Sequence, residues 1–247
     1  MRLPKALVIG GAAVDITSKV DPSTSLSTIR HSTVPGSVAS TLGGVARNVA
    51  EAAHRIRTSS NPLNKEDIML ISPLGRDSFG SLLKEETAAL GMRTDGFSYP
   101  TPNSSPTGAS SSRTAVCNMV LDSRGDLVGG VAYMDIIASM QFKEVKLPTL
   151  SSVSPLLTIM KIATKLPSSD PLPAVAMFDG NVGNSVMTEM CQWAYSKGIA
   201  SKIYLPIRFA LLTHRFSILV SIPTRLLPAI TDLSTVSQHL FPSREKS

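Results

Sequence analysis

Short apolar runs alternate with helix-spaced apolar positions through most of this 247-residue chain. Three short runs, bounded by glycine, proline or polar residues, are typical of buried parallel strands. They span residues 5–14, 68–71 and 174–178. Helix-spaced apolar positions follow each run, in residues 43–56, 81–90 and 186–197. The alternation of strands and helices predicts an α/β domain with a doubly wound sheet.

The segments between these elements have a different pattern. Residues 16–40 are rich in serine, threonine and proline with alternating apolar positions, which favours exposed strands or loops. Residues 115–133 predict a β-hairpin with its turn at 122–126, after a Ser/Pro/Thr loop at 98–114. A helix is expected at 156–166. A hairpin inserted into an α/β pattern predicts a small cover over one edge of the sheet.

The first predicted helix carries the most specific chemistry of the chain. Gly43 and Gly44 open it, and Asn48 lies one turn inside. Backbone N–H groups in a first helical turn have no intrahelical partner, and the helix dipole favours negative or polar ligand groups there. Asn48 adds a donor and an acceptor. The pattern predicts a cradle for a polar ligand. In the alternative, the glycines only turn the chain and Asn48 is solvated.

The same helix is predicted to be amphipathic. Its apolar residues recur at helical spacing and should pack on the sheet: Val45, Val49, Ala52, Ala53 and Ile56. The charged or titratable residues should lie on other faces: Arg47, Glu51, His54 and Arg55.

Ligands of doubly wound sheets bind beyond the carboxyl ends of the strands. Six polar or glycine residues are expected at that edge and form the candidate binding site: Asp15, Gly43, Gly44, Asn48, Asp179 and Asn181. For Asp179 and Asn181, a simple turn of the chain is an equal alternative. A dinucleotide site is disfavoured, because residues 10–13 do not match GxGxxG. An extended segment follows them, where such a site needs a helix that begins at the phosphate.

Charge and composition exclude several other classes. The net charge of +6 comes mostly from residues 201–247, which contribute +4, and no basic stripe interleaved with aromatic residues indicates nucleic acid. Cys117 and Cys191 lack CxxC spacing, which favours reduced thiols in a cytoplasmic protein. The four histidines show no metal-ligand spacing. The apolar start favours a first strand over a signal peptide, because it is short and contains Gly10-Gly11.

Three short motifs resemble the ribokinase, or PfkB, family of sugar and nucleoside kinases. Residues 43–48 resemble its Gly-Gly-x-Gly-x-Asn signature, with Ala46 in place of the third glycine. Residues 75–80 resemble its Gly-x-Asp-x-Phe-Gly segment. Val14-Asp15 resembles the first-strand aspartate that binds substrate hydroxyls.

The resemblance covers most of residues 5–200 and implies one ribokinase-like α/β domain over residues 1–200. Its doubly wound sheet would be flanked by helices. A small β-lid would come from residues 17–38 and 97–134.

Within this family the chain is most similar to pseudouridine kinases. The motif Gly-Gly-Val-x-Arg-Asn, the lid strand that ends at residues 132–136 and Phe-Asp-Gly-Asn at 178–181 carry that likeness. It implies transfer of the ATP γ-phosphate, with Mg²⁺, to the ribose 5′-hydroxyl of pseudouridine. It also implies that Asp15, Gly43, Gly44 and Asn48 bind ribose hydroxyls.

The likeness suggests two partners besides this small-molecule substrate, with neither nucleic acid nor membrane among them. One is a second copy of the chain, because the unpaired edges of the lid strands favour a homodimer. The other is pseudouridine-5′-phosphate glycosidase, which is fused to such kinases in some lineages.

The catalytic half of the family pattern does not occur in this sequence. The family's late Asp-Thr-x-Gly-Ala-Gly-Asp and its earlier Asn-x-x-Glu segment have no counterpart, and Gly198 is the last glycine. Residues 199–247 therefore cannot build a glycine-rich anion hole. We expect the C-terminal side of the family fold to be missing, no catalytic or cofactor-binding residue to be present, and the chain to be inactive alone. The alternative function is a non-catalytic nucleoside-binding, sugar-binding or interaction remnant.

Residues 201–247 form a basic tail without family resemblance. Their change in composition is compatible with a frameshifted or intron-derived segment. The alternative is a genuine helical tail that caps the sheet.

Overall fold

The computed structural model describes residues 4–24, 32–100, 113–141, 172–207 and 216–221. These residues form two sheets and their flanking helices. The strands are β1 (Ala6–Ile9), β2 (Ala13–Val20), β3 (Gly36–Gly43), β4 (Ile68–Pro73), β5 (Phe97–Ser98), β6 (Ala115–Leu121), β7 (Leu127–Tyr133), β8 (Val175–Asp179), β9 (Ala200–Ile207) and β10 (Phe216–Ser221). The helices are α1 (Val45–Ser60), α2 (Ser78–Ala89), α3 (Asp135–Ala138) and α4 (Asn184–Ser196), with a 3₁₀ helix at Pro62–Glu66.

The larger sheet has the strand order β10-β9-β8-β1-β4-β5. All its neighbouring strands are parallel except β10, which is antiparallel to β9. β1 lies between β4 and β8, and all four of its residues are buried. Apolar side chains on both faces of a parallel strand need helices on both sides of the sheet. One core cluster includes Phe178 and Met187, and a second includes Ala50 and Leu83, so the expected α/β architecture is confirmed.

The smaller sheet has the order β3-β2-β6-β7 and forms the lid. β2 is antiparallel to β3 and parallel to β6, and β6 forms an antiparallel hairpin with β7. This hairpin confirms the sequence prediction for residues 115–133. β3 and β7 are the edges of the lid sheet and most of their residues are exposed. Their pairing with a second copy stays a prediction.

The predicted single strand over residues 5–14 is wrong in its extent. β1 ends at Ile9, and β2 begins at Ala13 in the other sheet. Gly10 between them has a φ of 150°, and a side chain there would overlap with Asp179. The chain changes sheets at this glycine, which a continuous apolar run does not reveal.

The buried face of α1 also differs from the prediction. Its buried residues are Ala46, Arg47, Ala50 and His54, whereas Ile56 is 68% exposed. Ala46, Ala50 and His54 follow one another at four-residue spacing, so two of the three buried positions carry small side chains. Small side chains let the helix lie close to the sheet. Of the predicted residues, Val49 and Ala53 are partly buried and pack against the core, as expected, whereas Ala52 and Ile56 are exposed.

The tail continues the sheet over its described part. β9 begins at Ala200 and is parallel to β8, and residues 216–221 pair with it as β10. A helical cap is therefore wrong for these two segments, and the boundary expected at residue 201 lies inside β9. The helix expected at 156–166 lies outside the described residues.

Candidate functional site

The site is built where β1, β4 and β8 end and α1 begins. The turn at residues 10–12 leaves this edge for the lid sheet. Gly10 donates its backbone N–H to Ile71 O at 3.0 Å, and Ala12 donates to the Ser72 hydroxyl at 2.9 Å. Ser72 is fully buried. The turn is therefore fixed to the end of β4 and brings the start of β2 over the edge.

Gly44 lets α1 begin directly against this turn. Its φ is 96°, a conformation that favours glycine. A Cβ at Gly44 would overlap with the Gly11 carbonyl oxygen and lie 2.8 Å from Ala12 Cα. The Arg47 N–H donates to that same Gly11 oxygen at 3.2 Å. The glycine is therefore needed for a close approach between two backbone segments.

Asp179, the last residue of β8, binds the turn at residues 10–12 to the end of its own strand. Its side chain is buried, with 2% exposure, and its Oδ2 accepts from Gly11 N at 3.0 Å. Its Oδ1 accepts from the backbone N and the side-chain Nδ2 of Asn181, at 3.0 and 2.7 Å. Burial raises the pKa of Asp179, although hydrogen bonds from Asn181, Gly11 and the Ala46 backbone oppose this change.

These contacts change the interpretation of the helix start. The Arg47 N–H bonds the Gly11 carbonyl oxygen, so this first-turn donor already has a partner within the protein. The start of α1 therefore offers fewer donors to a ligand than the sequence suggested. Asn181 is exposed at the same edge, and its contact with a ligand stays a prediction.

Asp15 lies on β2 and faces the start of α1. A Cβ at Gly43 would overlap with the Asp15 carboxylate, so Gly43 leaves the space that this carboxylate occupies. Burial raises the pKa of Asp15, and the positive charge of Arg47 opposes that rise. The half-buried Asp15 can accept hydrogen bonds from a polar ligand. Asp15, Gly43 and Gly44 are thus brought together as expected.

Asn48 is exposed one turn inside α1, and its Oδ1 accepts from Arg47 Nη1 at 3.1 Å. Arg47 itself is 7% exposed, although the sequence interpretation placed it away from the buried face. Its four-residue spacing from Glu51, with which it forms an ion pair, was the available signal. Arg47 is the site residue that the sequence analysis missed.

A second polar cluster joins α2 to the lid. Asp77 caps α2 by accepting from Gly80 N at 2.8 Å, so the helix begins at Ser78 and not at residue 81. Asp77 also accepts from the Thr114 hydroxyl and backbone, at 2.6 and 2.8 Å. Thr114 Oγ1 accepts from Gly75 N at 2.9 Å. The Gly-x-Asp-x-Phe-Gly segment thus anchors the start of β6.

The acidic, histidine and cysteine side chains of the described residues form no metal cluster. Within the ranges given above, no group of three or more histidine, cysteine, aspartate or glutamate side chains could hold a metal ion. At the start of α1 the Arg47 N–H is already bonded to Gly11, and the Asp15 carboxylate lies beside Gly43. No helix in the described part of the chain is long and apolar enough to cross a membrane.

Known proteins were compared with the chain by sequence and by structure. No protein-family model matches the sequence, and no curated protein does. A carbohydrate kinase from Agrobacterium tumefaciens is similar in structure, with 19% identity, a TM-score of 0.55 and 81% of this chain covered. Ribokinase from Giardia lamblia covers 80% of this chain at 15% identity and a TM-score of 0.55. The chain has a ribokinase-like fold.

This ribokinase-like fold is also shared with ribokinase from Arabidopsis thaliana, solved in complex with ribose and ATP. That structure is 13% identical, has a TM-score of 0.51 and covers 81% of this chain. The matches cover 52%, 53% and 53% of the Agrobacterium, Giardia and Arabidopsis chains. The chain therefore spans about half the length of the solved kinases that it matches. At these identities the likeness establishes the fold alone.

Proposed function

We propose that this chain binds the acceptor substrate of a pseudouridine kinase-like sugar or nucleoside kinase. The observation that carries the proposal is the position of the Asp15 carboxylate against Gly43, where β2 of the lid meets the start of α1. In a ribokinase-like fold this places a hydrogen-bond acceptor beside the sheet edge at which ligands bind.

The proposed binding chemistry is directed at hydroxyl groups. Asp15 accepts a hydrogen bond from one ligand hydroxyl, and such a bond to a charged group is stronger than a neutral one. Asn48 offers its amide to another hydroxyl. Gly43 leaves room for the Asp15 carboxylate, and Gly44 lets α1 begin against the turn at residues 10–12, so the two glycines place Asp15 and Asn48 at the same edge.

Pseudouridine is the proposed ligand because of the motifs at residues 43–48, 132–136 and 178–181. The matched Arabidopsis ribokinase is solved with ribose, which is the sugar of that nucleoside. This supports a ribose-bearing ligand for the present chain.

Phosphoryl transfer from this chain alone is not part of the proposal. The transfer needs a base near the acceptor hydroxyl and backbone donors around the moving phosphate. Asp179 is enclosed by donors of its own protein, and residues 199–247 contain no glycine. We assign Asp179 the role of holding the turn and α1 in place. The ATP and Mg²⁺ part of the site would have to come from elsewhere.

Calorimetry with pseudouridine tests the binding proposal. We expect saturable binding by the wild-type chain and a loss of affinity of about tenfold or more in Asp15→Asn, because a hydrogen bond to a charged group is lost. Asp21→Asn is the matched control, since Asp21 is exposed directly after the same strand and its carboxylate accepts from the backbone and hydroxyl of the neighbouring Ser23. Its affinity should stay within about twofold of the wild type. Absence of saturable binding, or equal losses in both variants, would contradict the proposal.

An ATP-dependent phosphorylation assay separates binding from transfer. We expect the 247-residue chain to bind pseudouridine without forming pseudouridine 5′-phosphate. Turnover that Asp15→Asn abolishes would show that the catalytic groups are present, and would overturn the non-catalytic part of the proposal.

A further inference from the structure

The side-chain amide of Asn48 has its orientation set by its neighbour in the sequence. Arg47 Nη1 lies 3.1 Å from Asn48 Oδ1. A guanidinium group has only donors, so the amide atom that faces it must be the carbonyl oxygen. The NH₂ group of Asn48 is therefore the part left for a ligand. This conclusion follows from the chemistry of arginine and does not depend on how the amide atoms are assigned.

Arg47 is itself firmly held. Its Nη1 also donates to Leu42 O at 3.4 Å, and its Nη2 pairs with Glu51 at 2.5 Å. Arg55 binds the other oxygen of Glu51 through Nη2 at 2.6 Å and Nε at 2.7 Å. A planar guanidinium fixed at three points keeps its orientation at low entropic cost.

The position of Arg47 is costly for folding alone. It is 7% exposed, and its Nε has no hydrogen-bond partner within the described residues. A buried polar atom without a partner lowers stability. An alanine at this site would join the buried alanines that precede and follow it on α1. A charged residue here is better explained by an effect on the site than by packing.

Arg47 also acts on the second polar group of the site. Asp15 stands next to Gly43 at the start of the helix that carries Arg47. The positive charge of Arg47 lowers the pKa of Asp15 and so favours its ionised form, against the effect of burial. One side chain thus influences both the amide of Asn48 and the carboxylate of Asp15.

We propose that Arg47 is a positioning residue that sets the polarity of the binding site, so that Asn48 presents a donor and Asp15 presents an acceptor. This inference rests on the proposed function where it concerns the ligand. A hydroxyl can both donate and accept, so a ligand with several hydroxyls satisfies both groups. A ligand with acceptors only would leave Asp15 without a donor.

Ligand-free NMR tests the inference independently of any substrate. Arg47→Met removes the positive charge and the planar set of guanidinium donors. Arg55→Met is the matched control, because Arg55 also pairs with Glu51 but is exposed. Carboxyl ¹³C titration should show a higher pKa for Asp15 in Arg47→Met and an unchanged one in Arg55→Met. The Asn48 side-chain amide signals should move in the first variant only.

Among the described residues, one charged side chain is identified as changing the pKa of Asp15. Arg47 of α1 is the charged group that acts on Asp15. In the lid sheet, Asp15 is paired with Thr41 of β3 and Cys117 of β6.

Arg47→Lys separates charge from geometry and also covers the case in which Arg47→Met fails to fold. It should leave the Asp15 pKa close to that of the wild type but still move the Asn48 amide signals, because an ammonium group lacks the planar fork. Pseudouridine affinity should fall by about five- to tenfold in both Arg47 variants and by less than about twofold in Arg55→Met.

Two results would overturn the inference. One is an Asp15 pKa and Asn48 amide signals that are the same in wild type and in a folded Arg47 variant. The other is an equal change in Arg55→Met. If the wild type binds no pseudouridine, the proposed function fails, but the ligand-free titration still decides the role of Arg47.

Discussion

At the scale of single residues, the sequence predicted the roles of the motif glycines but not the burial of Arg47. Gly43 and Gly44 were recognisable because the double glycine stands just before a helical pattern. Arg47 was not, because an arginine in an amphipathic helix is normally exposed. Its burial depends on contacts with Leu42, Asn48 and Glu51, and these contacts exist only in the folded site.

Gly44→Ala should lower the free energy of unfolding more than Gly125→Ala. Both glycines have a φ of 96°, a positive value that disfavours a side chain, so both variants should lose stability through the backbone itself. A Cβ at Gly125 meets nothing within 4 Å, whereas one at Gly44 overlaps with Gly11. The overlap should cost about 1–3 kcal/mol more. Urea unfolding measures both values, and equal losses would contradict the close approach.

Asp179→Asn should change the pH dependence of stability. Burial raises the pKa of Asp179 above its ordinary value of 3.8. The stability contributed by its protonated form is complete below that value and is lost as the pH rises through the folded-state pKa. Asparagine does not ionise, so the difference in unfolding free energy should move in favour of the variant as the pH rises. Urea unfolding between about pH 4 and pH 7 measures this. A difference that moves the other way would contradict the burial of the charge.

At the scale of elements, strands and helices were predicted well where local signals agree. The hairpin β6–β7 has alternating residues and a polar turn, and Gly91 and Gly198 follow their helices with positive φ values of 76° and 66°. The break between β1 and β2 was missed, because an apolar run does not say which sheet each half joins. The strand β9 was missed because its pairing with β8 is a long-range contact.

Thr114→Val should weaken the connection between α2 and the lid. Valine keeps the shape of threonine but removes the hydroxyl that bonds Asp77 and Gly75. The buried Gly75 N–H would lose its partner, and Asp77 would keep its backbone donors Gly80 and Thr114, so the free energy of unfolding should fall by about 1–3 kcal/mol. Thr188→Val is the control, because the Thr188 hydroxyl bonds its own helix at a solvent-exposed position. Its effect should stay within about 0.5 kcal/mol, and equal effects would contradict the anchor.

At the scale of the whole molecule, the ribokinase-like fold could be predicted from the order of the motifs. The sequence could not predict which residues of the site face a ligand and which hold the sheet edge together. Asp179 has the same sequence context as a ligand-binding residue, yet its carboxylate bonds Gly11 and Asn181. Sequence spacing brought the right residues to one edge. It did not distinguish those that face a ligand from those that hold the edge together.

Hydrogen exchange should follow the two sheets. β1 is buried and lies between two parallel neighbours, whereas β3 and β7 are exposed edges of the lid. Backbone amides of β1 should therefore exchange slowest and those of β3 and β7 much faster. Mass spectrometry of peptides after exchange measures this order. Equal protection of β1 and the lid edges would contradict the difference in burial between these strands.

The most direct test of the account is a ¹H–¹⁵N NMR titration of the wild-type chain with pseudouridine. The account predicts saturable shifts that are largest at Asp15, Gly43, Gly44 and Asn48, including the Asn48 side-chain amide. Amides that are bonded within the edge, such as that of Gly11, should shift less. Absence of saturable shifts, or shifts confined to residues away from the start of α1, would contradict the account.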